Sequence, residues 1–177
     1  MTSAGSTADE AFRRKLRGLS GSWRNSGIPS RQALESALAE LNGWKAAQGI
    51  HGLWPEPPLM LTATLDDGLG QGLAMIRPVA EVAGLRVAHL GLLLTPELII
   101  AACRGQRPML LGLTVLQLDT EDDLARIGGH LPAGTVLVAG GPAFACDPDL
   151  ARRCGVHWVA RDAAHFIDLL LDGIIHA

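Results

Sequence analysis

The sequence predicts an α/β domain in which five short parallel strands form a sheet with helices on both faces, preceded by a short helical extension. Three observations carry that expectation. Past Pro58 five short apolar runs recur, and the stretches between them carry helix start and stop signals. Strands alternating with helices require crossover connections, which are right-handed and so build a parallel sheet. The chain has 177 residues, 48% of them apolar, enough for one well-cored domain and a modest extension.

Taken in order, residues 1 to about 20 are rich in Ser, Thr, Ala and Gly and then basic, the composition of a mobile arm. Ser30 is placed to cap a helix through "RQALESALAELNGWKAA", where Leu34, Leu38 and Leu41 form one apolar stripe. "GLWPEPP" ends it, because proline forbids helix and biases the residue before it towards extended geometry. Residues 1–57 therefore read as a flexible basic arm and helical extension or cap, and residues 58–177 as the sheet domain. The strands are "LMLTATL", "LRVAHLG", "MLLGLTV", "TVLVAG" and "VHWVA". Thr95 before Pro96 and Glu97, Thr120 before three acids, and Asp147 before Pro148 are the expected helix starts. Gly84, Gly105 and Gly155 are the expected stops, and Pro78 predicts a kink or broken turn in the first crossover helix. Five such units fit the flavodoxin-like order, in which ligands bind at the carboxyl edge of the sheet.

Composition narrows the function. Fifteen basic residues against eighteen acidic ones leave no global nucleic-acid footprint, although Arg13, Arg14, Lys15, Arg17, Arg24 and Arg31 cluster early. Cys103, Cys146 and Cys154 have neither metal-like nor disulfide-framework spacing, and such thiols are usually buried and inert. No apolar signal core or bilayer-spanning stretch is present, so a cytoplasmic location is expected. Asp66 and Asp67 are adjacent and point apart, a poor acid/base couple, and no Ser-His-Asp or Cys-His set stands out.

"TATLDDGLGQG" follows the first strand, so the fold puts it on the ligand-binding edge. Its glycines run G-x-G-x-G, not the dinucleotide G-x-G-x-x-G; its two aspartates repel phosphate, and no P-loop lysine follows. Thr114 ends the third strand and Gly140-Gly141 the fourth, so three unusual loops converge there.

Read together, these loops resemble the cobalamin-binding module of methionine synthase, methylmalonyl-CoA mutase and corrinoid carrier proteins, a Rossmann-like family. Asp67-Gly68-Leu69-Gly70-Gln71-Gly72 is similar to the family's Asp-x-His-x-x-Gly in its Asp and final Gly. Thr114-Val115-Leu116 resembles Ser-x-Leu, and Gly140-Gly141-Pro142 resembles the Gly-Gly after the fourth strand. The likeness covers about Leu59 to Asp172. It implies cobalamin held at the sheet edge, with the nucleotide tail in a slot lined by Gly140 and Gly141. Thr114 would offer the tail a hydroxyl and Leu116 an apolar wall. The departure is Leu69, which stands where the family places its cobalt-ligating histidine. Leucine has no lone pair, so no protein ligand would reach cobalt from below, and Asp67 would bond amides of its own turn instead. The tail's own benzimidazole on cobalt is the competing geometry.

The resemblance implies a corrinoid-binding carrier subunit of a methyltransferase-type system, its partner a methyltransferase, a radical-SAM enzyme or a regulatory protein. A homodimer is compatible with it. The alternatives are a haem- or cobalamin-dependent sensor module and a degenerate interaction domain that binds no cofactor. Haem is the alternative cofactor, because some light- and redox-sensing regulators carry a degenerate version of the module. His89 and His130 are then the candidate upper-face or haem ligands, while His51, His157, His165 and His176 are scattered. Trp44 and Trp54 either staple the extension in place or cover a flat macrocycle.

Overall fold

The computed structural model describes residues 3–65 and 71–174. Those residues fall into two compact units, one of residues 3–58, 75–86 and 162–174, the other of residues 59–65, 71–74 and 87–161.

The first unit begins with helix α1 (Ser3–Ser26), where the sequence suggests an arm. Phe12, Leu16, Ser20 and Trp23 are buried along one stripe. The stripe is hard to see in sequence, because its third position is a serine and Gly18 and Gly21 weaken helix propensity. The Ser20 hydroxyl donates to Asp168 Oδ1 (2.7 Å), so burial leaves it satisfied. That carboxylate belongs to α8 (Ala163–Asp168), against which α1 packs and which runs on into a π-type turn at Leu169–Gly173. Arg24 pairs with Asp168 (3.3 Å) and Arg17 with Asp172.

Helix α2 (Arg31–Ala47) starts as expected, with Ser30 Oγ accepting from the Ala33 amide. Its stripe of Leu34, Leu38 and Leu41 is buried and continues into Lys45. The Lys45 ammonium donates to Val82 O (2.8 Å) and His51 O (3.3 Å), and burial pulls its pKa down. Lys15 of α1 lies over the Trp44 ring, 4.8 Å from its centre, so that tryptophan holds the two helices together. Helix α3 (Gln71–Ala83) is not broken at Pro78; only one backbone donor is lost, and Gly84 (φ +105°) stops the helix as expected.

The second unit holds β1 (Leu59–Thr64), all of β2 (Arg86–Gly91) but its first residue, β3 (Leu110–Thr114), β4 (Val136–Gly140) and β5 (Trp158–Val159). They form one five-stranded parallel sheet in the order β2-β1-β3-β4-β5. Every strand falls inside a run expected from sequence, because short Val/Leu-rich segments between turn residues suit a doubly buried sheet. Leu61, Ala63, Leu111, Leu113, Leu137 and Ala139 point to one face. Helices α4 (Pro96–Gln106) and α5 (Glu121–Gly128) bring Ile99, Ile100, Cys103, Leu124 and Ile127 into the same core.

Three end signals shifted. Helix α4 runs through Gly105 to Arg107, which takes the left-handed position (φ 45°) and donates to Cys103 O (2.8 Å). Pro108 follows and disfavours helix at Arg107, so the proline, not the glycine, sets the end. Thr120 belongs to a 3₁₀ turn (Leu118–Thr120), and its hydroxyl donates to Gln117 O (2.9 Å) instead of capping α5. After the short α6 (Ala143–Cys146), Asp147 accepts from the Asp149 amide (3.0 Å) in a local turn, and α7 (Leu150–Arg153) starts at Leu150 instead of Pro148.

Candidate functional site

In a parallel sheet all strands exit at one rim, and their loops gather there. Thr64, Thr114 and Gly140 are the last residues of β1, β3 and β4 and lie opposite one another in register. Below them come Thr62, Gly112 and Val138, then Met60, Leu110 and Val136. Alternation puts all three rows on the face opposite the α4–α5 core. Towards the rim this face is small and hydroxylated; below, Met60 closes it. A Cβ on Gly112 would lie 2.6 Å from Met60 Cε, so the methionine already uses that space. The strip of small residues is two rows deep, about 7 Å of strand.

Two of its three hydroxyls are engaged. Thr62 Oγ1 shares a 3.1 Å hydrogen bond with Nδ1 of His89, and Thr64 Oγ1 accepts from the Leu93 amide (3.4 Å). Thr114 is only 8% exposed, yet its hydroxyl has no hydrogen-bond partner among the described residues. A buried hydroxyl left unpaired costs about 1–3 kcal/mol, so it calls for an explanation. Gly72, in the first turn of α3, stands beside it, and a Cβ there would come 3.2 Å from Thr114 Oγ1.

The paired glycines have a reason within the sheet. A Cβ on Gly140 would lie 2.6 Å from Ala160 O, and one on Gly141 (φ +124°) 2.1 Å from Val115 O. Neighbouring backbone, not open space, fills both side-chain directions. Val115 N donates to Gly140 O (2.8 Å), carrying the ladder one step past the end of β3. Leu116 is half-buried in the loop that follows, and Pro142 is exposed before α6. Of the other candidate residues, Asp67, Gly68, Leu69 and Gly70 lie outside the described residues, as does Asp66.

Arg153 ties down two loops that leave this rim. It makes a bidentate pair with Glu121 (2.7 and 2.9 Å) at the start of α5 and bonds Asp147 (2.7 Å) beyond α6. The guanidinium holds both carboxyls below their ordinary pKa range, and they raise its own. Sequence spacing alone does not bring Glu121, Asp147 and Arg153 together, nor Thr62 and His89.

The other candidates disperse. His89 is exposed on the edge strand, with its ring turned to Thr62. His130 follows the carboxyl end of α5, towards the opposite rim, and its Nδ1 bonds Arg126 O (2.7 Å). No group of three or more His, Cys, Asp or Glu able to hold a metal ion occurs among the described residues. Cys103 and Cys154 are buried, which raises their thiol pKa values, that of Cys103 to about 11; Cys146 is exposed. Among the described residues no helix is long and apolar enough to cross a membrane.

No protein-family model and no curated protein matches this chain. Solved structures do. A cobalamin-binding protein from Desulfitobacterium hafniense superposes with a TM-score of 0.71 at 20% identity, over 91% of this chain and 78% of that one. The methanol:cobalamin methyltransferase complex from Methanosarcina barkeri gives 0.58 at 16% identity, over 96% of this chain and 79% of that one. A pilus assembly-related protein from Burkholderia pseudomallei gives 0.54 at 21% identity, over 68% of this chain and 91% of that one. The fold is therefore the one these proteins share, and it serves more than one purpose.

Proposed function

We propose that the chain binds a corrinoid at the carboxyl rim of its sheet and presents it to a partner methyltransferase. The observation that carries this reading is the buried hydroxyl of Thr114, which has no partner among the described residues. It lies on the small-residue strip, beside Gly72, with no hydrogen-bond partner among the described residues. A nucleotide tail entering at the rim, above Met60, would supply the missing partner for Thr114. Leu116 would wall one side, and Gly140 and Gly141 would let the β4 exit lie tight against its neighbours. When bound, a corrinoid supplies a cobalt centre that exchanges methyl groups, and the protein supplies binding and orientation.

Further support comes from the kind of protein that shares the fold, since one superposing structure is a cobalamin-binding protein and another a cobalamin methyltransferase complex. The residues at the rim suit a holder of a cofactor better than an independent catalyst. With Leu69 in place of the family's histidine, the chain offers cobalt no nitrogen from that position.

Retention of hydroxocobalamin after desalting tests the reading. The wild type is expected to keep near-stoichiometric visible absorbance, with a spectrum free of the imidazole-ligated form. Thr114→Val should weaken retention about tenfold, the loss of one buried hydrogen bond. No retained absorbance in the wild type overturns the reading, and an imidazole-type spectrum overturns the ligand-free expectation.

A further inference from the structure

Among the described residues only two non-glycine residues have positive φ, Arg107 and Leu93. Arg107 ends a helix, where the left-handed position is ordinary. Leu93 (φ 53°) ends none; it sits in the loop between β2 and α4, and a bulky side chain there is an outlier. The backbone has a reason to turn. The amides of Leu93 and Leu94 both donate to Thr64, to its hydroxyl (3.4 Å) and its carbonyl (3.1 Å), which pins the loop to the end of β1. Leu94 meanwhile tucks its side chain against Gly91. Glycine or asparagine would meet that requirement without strain.

The leucine side chain gains little from burial, for Leu93 is 62% exposed. Leu92 (45%) and Leu98 (58%) are exposed beside it in sequence, so three leucines within seven residues face solvent at the strand-exit rim. Thr64, to which the loop is pinned, stands opposite Thr114 in register. Strained backbone that displays an apolar side chain at the rim of a ligand site is strain put to use.

We infer that Leu93, with Leu92 and Leu98 around it, forms an apolar rest for the methyl-rimmed macrocycle of the corrinoid. The assignment rests on the corrinoid reading above. Leu93 is a positioning residue that sets where the ring lies relative to Thr114.

Hydroxocobalamin titration of the wild type, Leu93→Gly, Leu93→Asn and Leu93→Met tests this, with melting of the free proteins alongside. Glycine and asparagine accept the left-handed turn, so both free variants should melt at or above the wild-type temperature. Their dissociation constants should rise about tenfold, as expected for losing part of a buried leucine contact. Met should restore most of the affinity. If Gly and Asn bind like the wild type, Leu93 has only a structural role and the inference falls while the corrinoid reading stands. If the wild type binds nothing, both fall together, and the first titration alone reveals it.

Discussion

Replacing Gly141 by alanine tests whether the Gly-Gly pair belongs to the sheet. At φ +124° a side chain pays a conformational penalty of about 1–3 kcal/mol, since that region is close to glycine-only. The new Cβ would also lie 2.1 Å from Val115 O, 2.9 Å from its carbonyl carbon and 3.1 Å from its nitrogen. These are backbone atoms and cannot swing aside. The β4 exit must retreat by about an ångström, which breaks the bond from Val115 N to Gly140 O (2.8 Å) at about 1 kcal/mol. Together the effects come to about 2–4 kcal/mol, or a melting temperature lower by about 10 °C for a chain of this size. Two companions separate the causes. Gly134 (φ +87°) has nothing within 4 Å of its built Cβ, so Gly134→Ala isolates the conformational penalty. Gly140→Ala meets Ala160 O at 2.6 Å without positive φ, isolating the clash. Urea unfolding followed by circular dichroism should rank the losses Gly141, then Gly140, then Gly134. Equal losses at Gly141 and Gly134 would refute the close approach and return the pair to a purely ligand-lining role.

Two more outcomes follow from buried groups. Thr114→Val should leave the free protein as stable as the wild type or up to about 1 kcal/mol more stable, because it removes a buried hydroxyl without a partner; a loss above 1 kcal/mol in urea unfolding would mean that the protein satisfies the hydroxyl. Burial raises the Cys103 thiol from 9.0 to about 11, so between those values the folded chain keeps a proton that the unfolded chain releases. Stability should hold below pH 9 and fall by about 2–3 kcal/mol towards pH 11, and Cys103→Ala should flatten that limb of the pH–stability curve.

Much of the fold was legible because its signals are local. Apolar runs such as "MLLGLTV" and "TVLVAG" become β3 and β4 without displacement, and Ser30 caps α2 through a bond three residues away. Signals that depend on a neighbour in sequence misled where two of them compete. Gly105 looked like the end of α4, but Pro108 governs the backbone at Arg107. Helix α1 was not legible at all, since its buried stripe includes Ser20, satisfied by a carboxylate from the other end of the chain.

The candidate site divides in the same way. Thr114, Gly140 and Gly141 could be placed at strand ends from sequence, because parallel topology alone sends those ends to one rim. Why the glycines are glycines could not, for the atoms that forbid a Cβ are carbonyls of Val115 and Ala160 on adjacent strands. Likewise nothing in the order of residues says that Thr62 meets His89, that Arg153 spans Glu121 and Asp147, or that Thr114 finds no partner among the described residues. By itself the sequence determined the strands, their parallel arrangement and the rim at which the strand-end loops gather, since these follow from periodicity and chain direction. Only the tertiary structure decided which polar atoms find partners and which do not. Hydrogen-bond satisfaction depends on where atoms from distant segments come to rest, and spacing along the chain does not encode it.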